Sequence, residues 1–235
     1  KSAINKHLFI LQSQAAKRYN IMIDEKYNEN QYKEFIEDIE NEMDCSFTTP
    51  LVKDTTRRLF GRRALQSHQT IEQFDIMEGK AENDLYGCLL LGTIATYALR
   101  QHYENVSQKI PGTVSVNVKL ATALPINEFK KKNKSFRERI LNAGQPHLVT
   151  IHNFEVPIIV QITFTAIHVA SEGEAAQYGL AAASDNFLQY IESEIKEHYG
   201  DYYADYTGRD FVTAKNTLGI DIGGGTMDFA LFTNY

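Results

Sequence analysis

Between Asp24 and Asp44 the apolar residues Tyr32, Phe35, Ile36, Ile39 and Met43 recur at helical spacing. Glu34, Glu37, Asp38, Glu40 and Glu42 fill the opposite face, which predicts an amphipathic helix. Thr48-Thr49-Pro50 ends that element, and Arg57 to Ala64 reads as a strand and turn. From about residue 84 to 104 the pattern is apolar almost all round, with Leu85, Leu89, Leu90, Leu91, Ile94, Ala95, Ala98 and Leu99. Such a helix is buried between other elements, and Asn83 or Asp84 stands at its start as an N-cap. Val114, Val116, Val118 and Leu120 alternate with polar residues as a strand does. Asn127 then caps a helix carrying Phe129, Phe136, Ile140 and Leu141. His147 to Ile151 and Glu155 to Val169 are dense in β-branched residues and predict two strands. At Ser171 the period changes to helical and continues through Phe187, Leu188, Ile191 and Ile195 to a stop at Gly200. Residues 201–216 read as a tyrosine-rich loop, and two apolar runs around a glycine cluster close the chain as a hairpin.

Helices alternating with strands in this order predict an α/β architecture, a mixed sheet flanked by helices. In the first 23 residues, the runs Leu8–Leu11 and Ile21–Ile23 fit strand or helix equally.

Composition narrows the class. With 235 residues, 43% of them hydrophobic, the chain can bury a sizeable core. Its net charge of −6 argues against broad nonspecific binding to nucleic acid or to anionic membranes. Two cysteines, Cys45 and Cys88, suggest neither a disulfide framework nor a zinc site, so the expected compartment is the cytoplasm. No apolar run reaches the roughly 18 residues of a membrane span, and no signal peptide opens the sequence. The sequence begins at Lys1 and not Met, so a preceding piece is expected.

The most demanding chemistry lies in Asp221-Ile222-Gly223-Gly224-Gly225-Thr226-Met227-Asp228. Three successive glycines suit unusual backbone angles or close approach by a bulky group. Their bare N–H groups can converge on a phosphate, Thr226 can add a hydroxyl, and Asp221 can hold a hydrated metal ion or orient a water. The competing reading is an ordinary glycine-rich hairpin whose acids discourage edge aggregation.

Other features weigh less. Arg57, Arg58, Arg62 and Arg63 could meet phosphate or a neighbouring subunit, though solvated loop arginines are commoner. Lys130, Lys131, Lys132, Lys134, Arg137 and Arg139 make the one basic block, which reads as a solvated helix face or as a partner surface. His147, His152 and His168 have no zinc-ligand spacing and read as ordinary strand residues.

Three stretches together resemble the bacterial actin-like plasmid-segregation proteins, the ParM and Alp7A type: Leu120 to Pro125 with its Lys-rich helix, Glu172 to Tyr178, and Asp221 to Asp228. The region from Arg57 to Asp84, including Lys80, is similar to the segment entering their first buried helix. The hairpin alone fits the wider actin, heat-shock 70 and sugar-kinase superfamily; the Leu124-Pro125 pattern tips the likeness toward ParM-like proteins. The resemblance covers residues 57–235 and implies an actin-like, ribonuclease H-like fold of two lobes with ATP or GTP and Mg²⁺ between them. Residues 1–170 would form the first lobe, with 1–56 as an inserted helical subdomain. Residues 171–235 would supply a connecting helix and the start of the second lobe. The resemblance further implies that Gly223, Gly224, Gly225 and Thr226 cradle phosphate and that Asp221 holds Mg²⁺ through water. Glu172, or Glu174 two residues on, would polarise the attacking water; an acid opening a helix is also favoured by the helix N-terminus itself.

The superfamily's first phosphate loop, an Asp-x-Gly motif on an N-terminal strand, is absent, and the sequence stops just after the hairpin. An incomplete chain is therefore expected. The implied function is a filament-forming ATPase that segregates plasmid DNA through a DNA-binding adaptor, its partners being other copies of itself. Two alternatives stand beside it: a heat-shock 70-like or sugar-kinase-like nucleotide switch without filaments, and a noncatalytic lobe acting as an interaction module.

Overall fold

The computed structural model describes residues 15–18, 26–73, 79–107, 109–213, 216–222 and 227–233. Six strands form one sheet: β1 (Ala15–Lys17), β2 (Asp44–Thr48), β3 (Arg58–Phe60), β4 (Thr113–Leu124), β5 (His147–Ile151) and β6 (Ile158–Ser171), in the order β1-β3-β2-β5-β6-β4. The pairs β1–β3, β2–β3, β2–β5 and β5–β6 are antiparallel. Along β4 and β6 the contacts advance together, Ser115 with Gln161 and Val118 with Thr165, so this pair is parallel and the sheet is mixed.

The helices are α1 (Tyr32–Glu37), α2 (Ile39–Glu42), α3 (Gly61–Gln66), α4 (Asp84–His102), α5 (Ile126–Leu141), α6 (Glu172–Ala181), α7 (Asp185–Tyr199) and α8 (Gly208–Val212). Strands β7 (Asn216–Ile222) and β8 (Met227–Thr233) make a separate two-stranded sheet. The chain divides into two compact units, residues 1–120 with 134–168 and residues 121–133 with 169–235.

In the first unit, α4 confirms the apolar reading: among its residues only Tyr97 is exposed. Asn83 is the N-cap, its side chain accepting from Leu85 N at 2.9 Å. Leu91 and Leu99 are fully buried, and each contributes about 2 kcal/mol of burial. The helix packs against β5 and against α1 and α2. Among the described residues of 1–56, expected as an inserted helical subdomain, β1 and β2 are strands of the main sheet, and the helices are short pieces between them. The acidic helix breaks at Asp38, and its buried side is Phe35, Ile36 and Ile39, with Phe35 and Phe154 edge to face at 4.9 Å.

Of the four arginines expected at phosphate or in solvent, Arg57 and Arg58 are instead structural, while Arg62 is half exposed. Arg58 is fully buried, its Nε 2.7 Å from Glu72 Oε2 in an ion pair that lacks hydrogen-bond alignment, while its Nη1 donates to Thr56 O. Arg57 and Arg18 share the buried carboxylate of Asp44, and Arg62 bonds Asp38 and Glu42. A buried guanidinium needs such partners, because an unpaired one costs several kcal/mol. Hydrophobic period shows where strands lie but not which of their charges turn inward.

In the second unit, the long helix predicted from Ser171 to Gly200 is two helices. Ala182–Ser184 interrupts it, and Ser184 caps α7 by accepting from Phe187 N. The expected loop 201–216 contains α8, started by a capping box between Thr207 and Asp210. Gly208 permits α8 to begin against α7: an added Cβ would stand 2.1 Å from Leu188 O. Glu192 accepts from Gly208 N at 3.1 Å and fastens the same join.

Candidate functional site

The hairpin forms as its pattern demands. Leu218, Ile220, Phe229 and Leu231 are apolar at alternate positions, and the register pairs Leu218 with Leu231, Gly219 with Ala230, and Ile220 with Phe229. Asp221 lies directly opposite Asp228, and the Ile222–Met227 pair closes the ladder. The phosphate-loop candidates Gly223, Gly224, Gly225 and Thr226 lie outside the described residues. The described part of the ladder thus ends on either side of these four residues, at Ile222 and Met227.

One face of this hairpin is open: Leu218, Ile220, Met227, Phe229 and Leu231 are each more than half exposed. The other contacts α6. Ser171 starts α6, its Oγ accepting from Glu174 N at 3.4 Å. An added Cβ on Gly173 would stand 2.2 Å from Ala230 Cβ, and one on Gly219 would be 3.7 Å from Gln177 Nε2. The first two turns of α6 therefore cross the hairpin at its Gly219–Ala230 pair. That pair is two residues along each strand from Asp221 and Asp228. Gly173 and Ala230 were not expected as site residues; a glycine in the first turn of a helix, where most residues fit better, was the signal available.

A cavity of about 560 Å³ opens beside β7, lined by Glu172, Gly173, Gln177, Gly219, Ile220 and Ala230, among others. Glu172 is partly buried at its edge. Glu174 belongs to a smaller hollow of about 330 Å³ with Tyr178, Thr217 and Phe232. The Tyr178 hydroxyl donates to Glu174 Oε1 at 2.9 Å, and this bond raises the phenol above its usual range. The two acids thus have different neighbours: Glu172 faces the larger cavity and Glu174 is engaged by a tyrosine.

Other candidates resolve more simply. Lys130, Lys131, Lys134 and Arg137 are exposed on α5, while Arg139 donates to Ala81 O and Pro50 O. His147 is buried, with Nδ1 2.6 Å from Thr49 Oγ1 and Nε2 2.7 Å from Ile140 O. Burial lowers its pKa, against a smaller opposing effect of the Ile140 carbonyl. His152 Nε2 lies 2.8 Å from Ser46 Oγ. Among the described residues no group of three or more His, Cys, Asp or Glu side chains could hold a metal ion, and no helix is long and apolar enough to cross a membrane.

Against known folds, the chain is similar to the crystal structure of the actin-like protein Alp7A, at 14% identity and a TM-score of 0.54, covering 95% of this chain and 50% of that one. It is also similar to the pSK41 ParM protein in its apo form, at 15% identity and a TM-score of 0.52, covering 96% and 56%. Bacillus thuringiensis ParM in its apo form matches at 14% identity and a TM-score of 0.50, covering 95% and 50%. The chain therefore spans about half the length of these neighbours, and at such identities the likeness is one of fold. A search of curated proteins returns no match. The family model for the actin-like proteins N-terminal domain matches residues 1–174, which takes in the whole six-stranded sheet, and the chain belongs to that family of actin-like proteins.

Proposed function

We propose that the full protein is a cytoplasmic, nucleotide-dependent, filament-forming ATPase that segregates plasmid DNA. The observation that carries this reading is the crossing of α6 over the β7–β8 hairpin in a chain of the actin-like family. Glu172 there lines a cavity beside β7 together with Gly219 and Ile220, and Asp221 follows Ile220 in that strand.

In this reading Asp221 holds Mg²⁺ through water, and the backbone N–H groups of Gly223, Gly224 and Gly225, with the Thr226 hydroxyl, hold phosphate. Bound Mg²⁺ supplies charge neutralisation on the phosphates of ATP or GTP. Glu172 orients a water and accepts its proton, a role worth about 10²- to 10⁴-fold in rate for a positioned base. Glu174, which lines the smaller hollow with Tyr178, is the second candidate for that role. Copies of the same chain are the filament partners, and an adaptor makes the contact with DNA, as suits a net charge of −6.

Light scattering of the full-length protein with ATP–Mg²⁺, or GTP–Mg²⁺, tests this directly. Assembly that depends on nucleotide and concentration, and that persists in Glu172→Gln after wild-type polymer has decayed, is the expected outcome. No assembly at any concentration, with nucleotide still bound, would move the protein to the class of monomeric nucleotide switches.

A further inference from the structure

We infer that Gly173 is a positioning residue, the contact that sets how far the carboxylate of Glu172 stands from the Asp221 hairpin. This rests on the proposed role of Glu172 and adds to it the element of the fold that holds the distance.

The argument is steric. Helix α6 touches both β7 and β8. At Gly173 the approach is too close for a side chain: an added Cβ would lie 2.2 Å from Ala230 Cβ, and the next atom in its way, Ala230 Cα, is 3.6 Å off. Carbon atoms in contact rest about 3.5–4.0 Å apart, so an alanine at this position must push helix and hairpin apart by roughly 1.5 Å. The obstruction is a single methyl group fixed to backbone, which no rotamer change can move aside. Four residues on, Gln177 lies over Gly219, the cross-strand partner of Ala230, so the helix is seated on one rung of the ladder.

That rung is the one whose height matters. Glu172 is bonded to Gly173, and Asp221 is two strand residues from Gly219, about 6.6 Å along β7. Separation at the Gly173–Ala230 contact is passed through one peptide bond to the Glu172 backbone, from which the carboxylate reaches. A misplacement of about 1 Å in a catalytic arrangement can cost about 100-fold in rate. Helix propensity alone points the other way, since alanine is the better helix former. A glycine here is explained by the close approach and not by the helix.

The size-swap experiment separates this from a merely structural role. Nucleotide affinity, single-turnover hydrolysis and thermal unfolding are measured on the full-length wild type, Gly173→Ala, and the double variant Gly173→Ala/Ala230→Gly. The double variant moves the one methyl from the hairpin to the helix and restores the spacing. The expected result is hydrolysis slowed about 100-fold in Gly173→Ala, with nucleotide affinity changed several-fold at most, and a rate within a few-fold of wild type in the double variant. Should Gly173→Ala fail to fold, recovery of both folding and rate in the double variant supports the assignment equally. Hydrolysis at the wild-type rate in Gly173→Ala overturns it, as does a double variant that regains thermal stability but not rate. A wild type that binds nucleotide and never hydrolyses it removes Glu172 from catalysis and overturns the proposed function together with this inference.

Discussion

Arg57 grips the carboxylate of Asp44 with two donors, Nε to Oδ1 at 2.9 Å and Nη2 to Oδ2 at 2.5 Å. Arg18 donates to the same Oδ2, and the Asp44 side chain is only 2% exposed. Its backbone N–H donates to Asn153 Oδ1, and Asn153 also reaches Glu42 O. The pair therefore ties β1, β2 and the start of β3 to the segment after β5. Asp44→Ala leaves two guanidinium groups beside a buried gap. It is expected to destabilise the first unit by about 3–5 kcal/mol, the range for breaking a buried ion pair from one side. Urea denaturation followed by circular dichroism measures it; a loss below about 1 kcal/mol would mean that the arginines reach water without cost.

His147 gives the fold a pH dependence whose sign is fixed by geometry. Nε2–H donates to Ile140 O, so the Thr49 hydroxyl donates to Nδ1, and the ring is held neutral. Burial lowers the folded pKa below the ordinary 6.5. The unfolded chain thus takes up a proton first. The stabilisation is fully present above about pH 6.5 and is lost as pH falls from there through the folded pKa. Thermal unfolding between pH 7.5 and 5 should show His147→Gln losing less stability on acidification than wild type. Parallel curves for the two proteins would remove His147 from the titration.

The cysteines should be inert in the native state. Burial pushes the Cys88 thiol up to about 12, and burial likewise raises Cys45 well above its usual value. At pH 8 a thiol of pKa about 12 is roughly one part in ten thousand thiolate. A thiol reagent should modify neither residue in the folded protein within the time that it modifies both in denaturant. Fast labelling of either one without denaturant would place it in an opening segment.

Glu172 and Glu174 differ in neighbours, and the difference predicts different phenotypes. Glu172→Gln should lower nucleotide hydrolysis by about 10²-fold or more with binding retained. Glu174→Gln keeps an acceptor for the Tyr178 hydroxyl and should change hydrolysis less than about five-fold. Single-turnover hydrolysis with measured nucleotide affinity decides between them, and the reverse order of effects would assign the water-orienting role to Glu174.

Much of the architecture was legible because its causes are local. The apolar ring of α4, the alternation in β4, the β-branched density of β5 and β6 and the hairpin at 216–233 all follow from side-chain period and backbone preference, which act over a few residues. The break between α6 and α7 was local too, written in Ser184 and Asp185, yet a continuous apolar stripe outweighed the cap when the stripe alone was followed. The motif Asp221 to Asp228 stood out by residue type and spacing, while the role expected for the acid opening α6 came from the family resemblance.

What no local pattern contains is which distant residues meet. Arg58 differs from a solvated arginine only because β3 lies inside the sheet and Glu72 returns to it. Glu172 differs from Glu174 only because α6 lies across the hairpin on Gly173, turning one acid toward the larger cavity and leaving the other with Tyr178. The sequence by itself determined the elements and the chemical groups they carry, through propensities that each residue expresses among its neighbours. Only the tertiary structure decided which charges are buried and which carboxylate lines the larger cavity, because those follow from close packing between segments tens of residues apart.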